Sequence, residues 1–377
     1  MKIIILTRSL HYGGAERQLV ALAKGLHHCG HSVKVATFYP DGPLQIDLDR
    51  AGIPVHYLEK KGRWDMFGFL IRTYCFIRDE APDILHGYLV VPNLLVAMFR
   101  PLFPKTKIVW GVRASDMDLT QYDWLARLSF SASSRLSHCA DLIIVNSHCG
   151  MEYHSKQGYP LNKMIVIPNG IDTERFKPNA EDRVRLRAEW GVTENEKLIG
   201  IVGRLDPMKD HITFLNAAAL LAKENANIRF VCVGDGDKDY REMLHQMGSE
   251  LGLGARLLWT GARADASAVY NAFDIATSSS RFGEGFPNVV GEAMSCGIPC
   301  VVTNVGDSAV IVGDTGIVVP PRDPRELADG WNRSLLDARS IPINEIRNRI
   351  LQEYSLLSLI EHTEQELEHL RCGGVSC

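Results

Sequence analysis

Two glutamates, Glu284 and Glu292, stand eight positions apart in the segment RFGEGFPNVVGEAM, on either side of a Gly-Phe-Pro turn. The first follows a run typical of a strand, and the second lies in a run typical of a helix. A carboxylate accepts two hydrogen bonds at once, which suits the vicinal hydroxyls of a ribose or a hexose. The amides of Gly285 to Asn288 open the predicted helix and favour an anion. The segment predicts a site for a hydroxyl-rich, negatively charged ligand; two solvent-exposed glutamates are the alternative.

Two cations mark a second predicted helix start. Arg204 and Lys209 stand five apart across a proline-containing turn, directly after Gly203 at a strand end. An arginine can hold two oxygens of a diphosphate, and a lysine binds it as a point charge. The pair therefore indicates a diphosphate site, and a pair of solvated surface cations is the alternative.

The glycine pair Gly13-Gly14 follows the first predicted strand and opens a helix, so it allows a substrate to approach the backbone. The segment lacks the spacing GxGxxG, and the second strand ends in VATFYP without an acidic residue for a ribose. A dinucleotide cofactor is thus disfavoured, and a purely structural turn is the alternative for the glycine pair.

The elements that must position these groups form two series of short apolar runs separated by longer amphipathic stretches. Continuous apolar strands joined by helices indicate parallel sheets buried on both faces. We predict two doubly wound α/β units, an N-terminal domain at 1–172 and a C-terminal domain at 173–353, with a helix at 354–372 that packs back on the first. Ligands of such sheets bind beyond the carboxyl ends of the strands, so we expect the active site in a cleft between the domains. The predicted strands are 3–7, 33–38, 54–58, 83–86, 107–112, 141–146, 164–169, 198–203, 228–234, 256–261, 273–278, 299–303 and 316–320.

Composition and charge restrict the class of protein. The 377 residues are 46% hydrophobic and 23% charged, as in a globular enzyme. The N-terminus has no secretory-signal pattern, no run is long enough for a transmembrane helix, and nine cysteines without CxxC pairs indicate reduced thiols, so we expect a cytoplasmic protein. Residues 1–172 carry a net charge of +4 and residues 173–377 one of −8, which favours an anionic lipid partner for the first half, with random variation in surface charge as the alternative. No nucleic-acid partner is predicted.

Five motifs in order carry a family resemblance: GGAER, VIPNGID, GRLDPMKD, EGFPNVVGE and NVGDSAVIVGDTGIVVPPRDP. They resemble the retaining glycosyltransferases of family 4, which have the GT-B fold, and the resemblance covers nearly the whole chain. The last motif is similar to those of bacterial O-antigen, capsule and exopolysaccharide glycosyltransferases. This implies transfer of a hexosyl or N-acetylhexosaminyl group from a nucleotide sugar, most simply a UDP-sugar, to a lipid-linked glycan in surface polysaccharide biosynthesis, lipopolysaccharide included.

The resemblance assigns roles to matching positions. Arg204 and Lys209 would hold the diphosphate, Glu284 the sugar hydroxyls near the anomeric carbon and Glu292 the ribose. Glu284, Arg204 and Lys209 would be the catalytic groups. The remaining donor-binding positions implied are Gly14, Arg263 near the base, and the loop residues Gly285, Phe286, Asn288 and Val289.

Acceptor contacts and metals complete the prediction. Many relatives have a histidine after the fifth strand, where this chain has Arg113. Arg113, His86 and Gly13 are therefore the candidate contacts of the acceptor or transferred sugar, with a satisfied core histidine as the alternative for His86. Asp-x-Asp triplets occur, but the family uses none as a metal site, so we predict metal-independent catalysis without a cofactor. The triplets are Asp47-Asp49, Asp116-Asp118, Asp235-Asp237 and Asp237-Asp239.

Residues 60–78 alternate aromatic and basic side chains, and 99–107 adds apolar and basic ones. Such a helix either lies on a membrane interface, making the enzyme a peripheral one on the inner face of the plasma membrane, or covers the first sheet through Leu70, Ile71, Tyr74 and Phe76. Two rival functions stay open. An epimerase of GT-B shape would turn over donor without acceptor, and a non-catalytic binding protein would tolerate loss of Glu284 and Lys209.

Overall fold

The computed structural model describes residues 1–62, 64–113, 130, 132–337 and 342–372. The chain divides into two compact units. The first unit consists of Met1–Gly170 and Leu356–Cys377, and the second of Ile171–Ser355. Each unit is a three-layer α/β structure around its own parallel sheet.

The sheet of the first unit has seven parallel strands in the order β3-β2-β1-β4-β5-β6-β7. Its strands are β1 (Lys2–Thr7), β2 (Ser32–Thr37), β3 (Val55–Tyr57), β4 (Ile84–Tyr88), β5 (Lys107–Val112), β6 (Leu142–Val145) and β7 (Met164–Val166). Ile3 pairs with Val33 on one side and with Ile84 on the other, and all three are buried. Such apolar central strands need helices on both faces. In the described part of this unit, the helices that precede Gly170 include α1 (Gly14–His28), α2 (Gln45–Arg50), α3 (Met66–Glu80), α4 (Val90–Phe99) and α5 (His148–Lys156).

The sheet of the second unit has six parallel strands in the order β10-β9-β8-β11-β12-β13. Its strands are β8 (Lys197–Val202), β9 (Ile228–Val233), β10 (Leu257–Gly261), β11 (Ile275–Ser278), β12 (Cys300–Thr303) and β13 (Ile317–Val319). Its helices are α6 (Ala180–Glu189), α7 (His211–Glu224), α8 (Lys238–Glu250), α9 (Ala266–Ala272), α10 (Asn288–Ser295), α11 (Ser308–Val312), α12 (Pro324–Asp337) and α13 (Ile343–Glu353). Every predicted strand is present, and the expectation of two doubly wound sheets is confirmed.

The last helix, α14 (Leu356–Arg371), belongs to the first unit and packs on α1. A Cβ added to Gly25 of α1 would lie 2.2 Å from Cδ1 of Ile360, so the two helices approach closely there. The apolar period of this helix predicts Leu357 on or near its packing face, and this is wrong because Leu357 is exposed, whereas Leu359 is buried.

Helix α3 buries one face and exposes another. Phe69, Thr73, Phe76 and Ile77 are buried against the first sheet, whereas Ile71, predicted to cover that sheet, is exposed. Trp64 and Phe67 are 92% and 80% exposed near the start of the helix. Arg63 lies outside the described residues. In the described part of the chain, no helix combines the length and hydropathy needed to cross a bilayer.

Candidate active site

The loop between β11 and α10 places Glu284 in a buried position of the second unit. Its carboxylate accepts a hydrogen bond from Oγ of Ser280 (2.7 Å) and forms an ion pair with Nζ of Lys209. The Glu284 side chain is 8% exposed and that of Lys209 17%. Solvent exposure of Glu284 is therefore excluded. A carboxylate this deeply buried needs such partners, because desolvation strongly disfavours an uncompensated charge.

Lys209 lies in a single 3₁₀ turn, Pro207–Lys209, between β8 and α7. The Asp206 side chain accepts the Met208 N–H (2.9 Å) at the start of this turn. Oγ of Ser279, from the Glu284 loop, donates to the Lys209 carbonyl (2.9 Å). The two loops are thus joined through backbone as well as side chains, and this fixes the ammonium beside Glu284.

Arg204 lies in the same unit but pairs with a different carboxylate. Its Nη2 is 2.9 Å from Oδ2 of Asp206, and its side chain is 69% exposed. An exposed pair of this kind contributes ~0–1 kcal/mol. The guanidinium can therefore exchange Asp206 for an anionic ligand at low cost.

The segment that follows β12 braces the Glu284 loop. Gly306 has a φ of 58°, and a Cβ added there would lie 2.5 Å from the Glu284 carbonyl oxygen and 2.6 Å from that of Gly285. The Asp307 N–H donates to the Gly285 carbonyl (2.9 Å). Sequence reasoning gave Gly306 and Asp307 no role, although both lie in the NVGDS segment that supported the family resemblance.

Glu292 lies in the second turn of α10 and is half-buried. It accepts a hydrogen bond from the phenol of Tyr270 in α9 (2.8 Å). Burial, together with the charge of Glu292, raises the pKa of Tyr270, so the phenol stays a donor. Sequence reasoning missed Tyr270, because nothing local to its position marks it as a partner of a residue on another helix.

The loop residues between the two glutamates divide into packing and backbone roles. Phe286 is buried, and its ring centroid is 5.4 Å from that of Tyr354. Val289 packs against the same core cluster as Phe286. Pro287 directly precedes α10 and Asn288 begins it. The contacts of the loop's backbone N–H groups, which Pro287 lacks, with a donor sugar nucleotide stay a prediction.

Arg263, predicted near the nucleotide base, is already bound to two carboxylates. Its Nε and Nη2 donate to Asp265 (2.8 and 2.9 Å), and its Nη1 donates to Glu189 (2.6 Å). These hydrogen bonds raise the pKa of the guanidinium above its ordinary value. The guanidinium fixes the loop after β10, and a contact of this loop with a base stays a prediction.

His86 and Arg113 lie in the first unit, His86 in the middle of β4 and Arg113 directly after β5 at the carboxyl edge of the sheet. His86, in β4, is fully buried, and among the described residues neither ring nitrogen has a hydrogen-bond partner. Burial, and to a lesser degree the charge of Arg113, lowers the pKa of His86 to about 3, so its ring is neutral. The alternative of a satisfied core histidine does not describe it. The Arg113 guanidinium lies 4.6 Å from the Tyr88 ring centroid, and its Nη1 donates to Oδ1 of Asn169 (3.3 Å).

The glycine pair begins α1, with Gly13 at the N-cap and Gly14 as the first helical residue. A Cβ added to Gly13 would lie 2.1 Å from Oε2 of Glu16, the flexible end of a side chain, so the Glu16 carboxylate lies directly over this glycine. Glu16 in the first turn is stabilised by the helix dipole. An anionic ligand at this helix start would have to share the place with Glu16.

The described Asp-x-Asp triplets have structural roles. Asp235 pairs with Arg241, and Asp237 caps α8 by accepting the Asp239 and Tyr240 N–H groups. Asp47 and Asp49 lie in α2. The triplet Asp116-Asp118 lies outside the described residues. Metal independence stays a prediction.

Comparison with known proteins gives a consistent result. The model of Glycosyltransferase Family 4 matches residues 12–175, and that of Glycosyl transferases group 1 matches residues 196–337. A UDP-Gal:alpha-D-GlcNAc-diphosphoundecaprenol alpha-1,3-galactosyltransferase of Escherichia coli is 26% identical over 78% of this chain and 76% of its own. An uncharacterized glycosyltransferase of Methanocaldococcus jannaschii is 27% identical over 93% of both chains. The crystal structure of Anabaena HepE in complex with UDP has a TM-score of 0.87 at 24% identity, covering 98% of this chain and 100% of that one.

Two doubly wound parallel sheets and the similarity to HepE define a protein of the GT-B class. The two family models together span most of the chain. Each half of the chain therefore carries a glycosyltransferase domain, that of Glycosyltransferase Family 4 in the first and that of Glycosyl transferases group 1 in the second, and the family resemblance indicated by the motifs is confirmed.

Proposed function

We propose that the protein is a retaining glycosyltransferase that moves a hexosyl or N-acetylhexosaminyl group from a UDP-sugar to a hydroxyl of a lipid-linked glycan. The observation that carries the proposal is the buried Lys209–Glu284 pair with its Ser280 hydrogen bond. A buried cation beside a carboxylate offers one group to a phosphate and the other to a hydroxyl. The UDP in the HepE complex and the lipid-linked acceptor in the name of the Escherichia coli relative support the substrate classes.

The chemistry we propose rests on positioning and charge. Lys209 and Arg204 offset the negative charge that develops on the leaving diphosphate, while Glu284 orients the sugar hydroxyls and Glu292 the ribose. Departure and attack occur on the same face of the sugar, which retains the anomeric configuration. The acceptor hydroxyl then gives its proton to a leaving diphosphate oxygen as its oxygen bonds to the anomeric carbon. No metal or cofactor takes part in this proposal.

The test is a calorimetric titration of the protein with UDP and, separately, with GDP, both without divalent metal. We expect saturable UDP binding that is about tenfold or more weaker in Lys209→Ala, since a charge-assisted hydrogen bond is lost. A matched control is Lys238→Ala, which removes an exposed lysine of the same unit paired with Glu242 at 3.8 Å. Preference for GDP would move the donor to a GDP-sugar. Binding of neither nucleotide would contradict the proposal.

Turnover separates the proposed transferase from its rivals. A transferase releases UDP in proportion to glycosylated acceptor. An epimerase would convert the donor in the absence of acceptor, and a binding protein would release no UDP. Surface polysaccharide synthesis, including lipopolysaccharide, O-antigen, capsule or exopolysaccharide, is the setting we propose for such an acceptor.

We also propose that the start of α3 contacts the cytoplasmic face of the membrane. Trp64 and Phe67 are exposed aromatic side chains, and Lys60 and Lys61 lie just before them. Aromatic groups beside cations suit an interface of anionic lipids. We expect the double variant Trp64→Ser, Phe67→Ser to lose sedimentation with phosphatidylglycerol vesicles, whereas Leu336→Ser, an exposed leucine of the second unit, keeps it. Equal sedimentation of both variants would contradict this proposal.

A further inference from the structure

Buried polar atoms without partners gather at the carboxyl edge of the first sheet. They come from β4 and from the positions that follow β5 and β6. Among the described residues, no hydrogen-bond partner is present for either ring nitrogen of His86, the Tyr88 hydroxyl, Nε of Arg113 or Oδ1 of Asn146. His86, Tyr88 and Asn146 are each at most 2% exposed. Buried polar groups are nearly always paired, so a concentration of unpaired ones indicates a place that a ligand fills.

Arg113 is held in place but not neutralised. Its guanidinium lies over the Tyr88 ring and donates to Asn169, whose Oδ1 is also 3.5 Å from Nδ2 of Asn146. Glu16 influences the pKa of Tyr88, but in the described part of the chain neither it nor any other carboxylate pairs with Arg113. Arg100, another half-buried arginine of the unit, differs in binding Asp141 through two nitrogens (2.8 and 2.9 Å).

A fixed guanidinium with unused N–H donors prefers an anion that offers two oxygens. Its planar fork matches two oxygens of one phosphoryl or carboxylate group, and such bidentate bonds are the strong ones. Stacking on Tyr88 keeps the fork in one orientation, so little side-chain entropy is lost on binding. The neutral, fully buried ring of His86 nearby adds no second positive charge to the site.

We propose that Arg113 binds an anionic phosphoryl or carboxylate group of the acceptor, so that the enzyme selects a negatively charged acceptor over an uncharged one. The inference rests on the proposed function in that it assigns the anion to the acceptor. The anion site itself is independent of that function, because it stands on the side chains of the first unit alone.

The experiment uses inorganic phosphate as the probe, followed by phosphorus-31 NMR titration, and acetate as the carboxylate probe, followed by saturation-transfer NMR. Both are titrated into the wild-type protein, with and without saturating UDP, and into Lys209→Ala. The test variant is Arg113→Gln, and Arg113→Lys keeps the charge without the fork. Arg78→Gln, an exposed arginine of the same unit paired with Asp79, is the matched control. Thermal unfolding confirms that each variant is folded.

We expect phosphate or acetate binding that persists in Lys209→Ala and under saturating UDP. It weakens about tenfold in Arg113→Gln, less in Arg113→Lys and not in Arg78→Gln. Tighter phosphate than acetate binding assigns a phosphoryl group, and the reverse order a carboxylate. The inference is overturned if Arg113→Gln binds the anion as tightly as wild type. It is also overturned if neither wild type nor any variant binds phosphate or acetate. Phosphate displaced by UDP, with UDP itself weakened in Arg113→Gln, places Arg113 in the donor site and also overturns it. UDP binding is measured separately, so a failure of the proposed donor site can be distinguished from a failure of the anion site.

Discussion

The two units treat their candidate ligand groups in opposite ways. In the second unit, each charged candidate has a protein partner: Lys209 has Glu284, Arg204 has Asp206, and Arg263 has Asp265 and Glu189. In the first unit, Arg113 and His86 are held by packing and stacking, without a charged partner among the described residues.

The difference separates two ways of preparing a site. An internal ion pair lets the second unit keep charges buried without a ligand. A bound sugar nucleotide must then rearrange that ion pair. Among the described residues, the candidate groups of the first unit keep an unsatisfied donor on Arg113 and unsatisfied ring nitrogens on His86, which makes the binding of a ligand more favourable. The loss of one partner should therefore affect the second unit strongly.

The largest expected effect comes from breaking the internal pair. Lys209→Met leaves the Glu284 carboxylate buried without the ammonium that pairs with it, and it removes a cation from the diphosphate. We expect glycosyl transfer to fall about a hundredfold, roughly 3 kcal/mol, and the free energy of unfolding to decrease as well. Steady-state transfer rates and urea unfolding measure the two effects.

The double variant Lys209→Met, Glu284→Gln sharpens this prediction. Because it removes both charges, it should recover stability relative to Lys209→Met while transfer stays low. Near wild-type transfer in Lys209→Met would show that the pair is only structural.

The next effect concerns two buried histidines, one in each unit. Burial lowers the pKa of His86 to about 3 and that of His211 to about 4, from about 6.5 in an unfolded chain. As pH falls below about 6.5, the unfolded chain takes up protons that the folded chain does not, so stability decreases toward the folded pKa. Between about pH 6 and about pH 4.5, the free energy of unfolding of His86→Gln should therefore fall by about 2 kcal/mol less than that of wild type.

Urea unfolding at a series of pH values measures this difference, and His211→Gln is the counterpart in the second unit. Stability curves of wild type and His86→Gln that run parallel over this range would contradict a neutral, buried His86.

The smallest effect tests the support of the Glu284 loop. Gly306→Ala places a Cβ in a left-handed conformation and against the Glu284 carbonyl, whereas at Gly252, with a φ of 72°, nothing lies within 4 Å of the added atom. Gly306→Ala and Gly252→Ala both carry backbone strain of ~1 kcal/mol. The free energy of unfolding of Gly306→Ala should fall by about 1 kcal/mol more than that of Gly252→Ala, and Gly306→Ala should also lower the rate of glycosyl transfer. Differential scanning calorimetry of the two variants compares them. Equal losses would show that the loop yields to the new contact.

Much of the fold could be predicted because its determinants are local. Each apolar run that became a strand is short and β-branched, and each is followed by enough chain for a helix. The errors arose where one face had to be chosen for a helix. Leu357 and Ile71 fit an apolar stripe by period but are exposed, because the direction of each helix relative to its sheet decides which neighbouring row is covered.

The candidate site was predictable only in part. Glu284, Glu292, Arg204 and Lys209 are marked by charge beside glycine and proline turns, and this signal lies in a few consecutive residues. Their partners Ser280 and Tyr270 carry no such signal, and Gly306 was visible only as part of a motif. Arg263 was expected to face a ligand, yet its guanidinium is bound to carboxylates of α6 and of its own loop.

The two parallel doubly wound units and the residue types able to bind a sugar diphosphate could be predicted from the sequence because burial periodicity and turn chemistry act over a few residues, and five motifs carried the family resemblance. Which charges are neutralised follows only from the folded structure. Lys209 meets Glu284 from a position 75 residues away, and Arg113 meets Asn169 but no carboxylate among the described residues. Such pairings follow from the strand order of each sheet, which brings chain-distant loops to one edge.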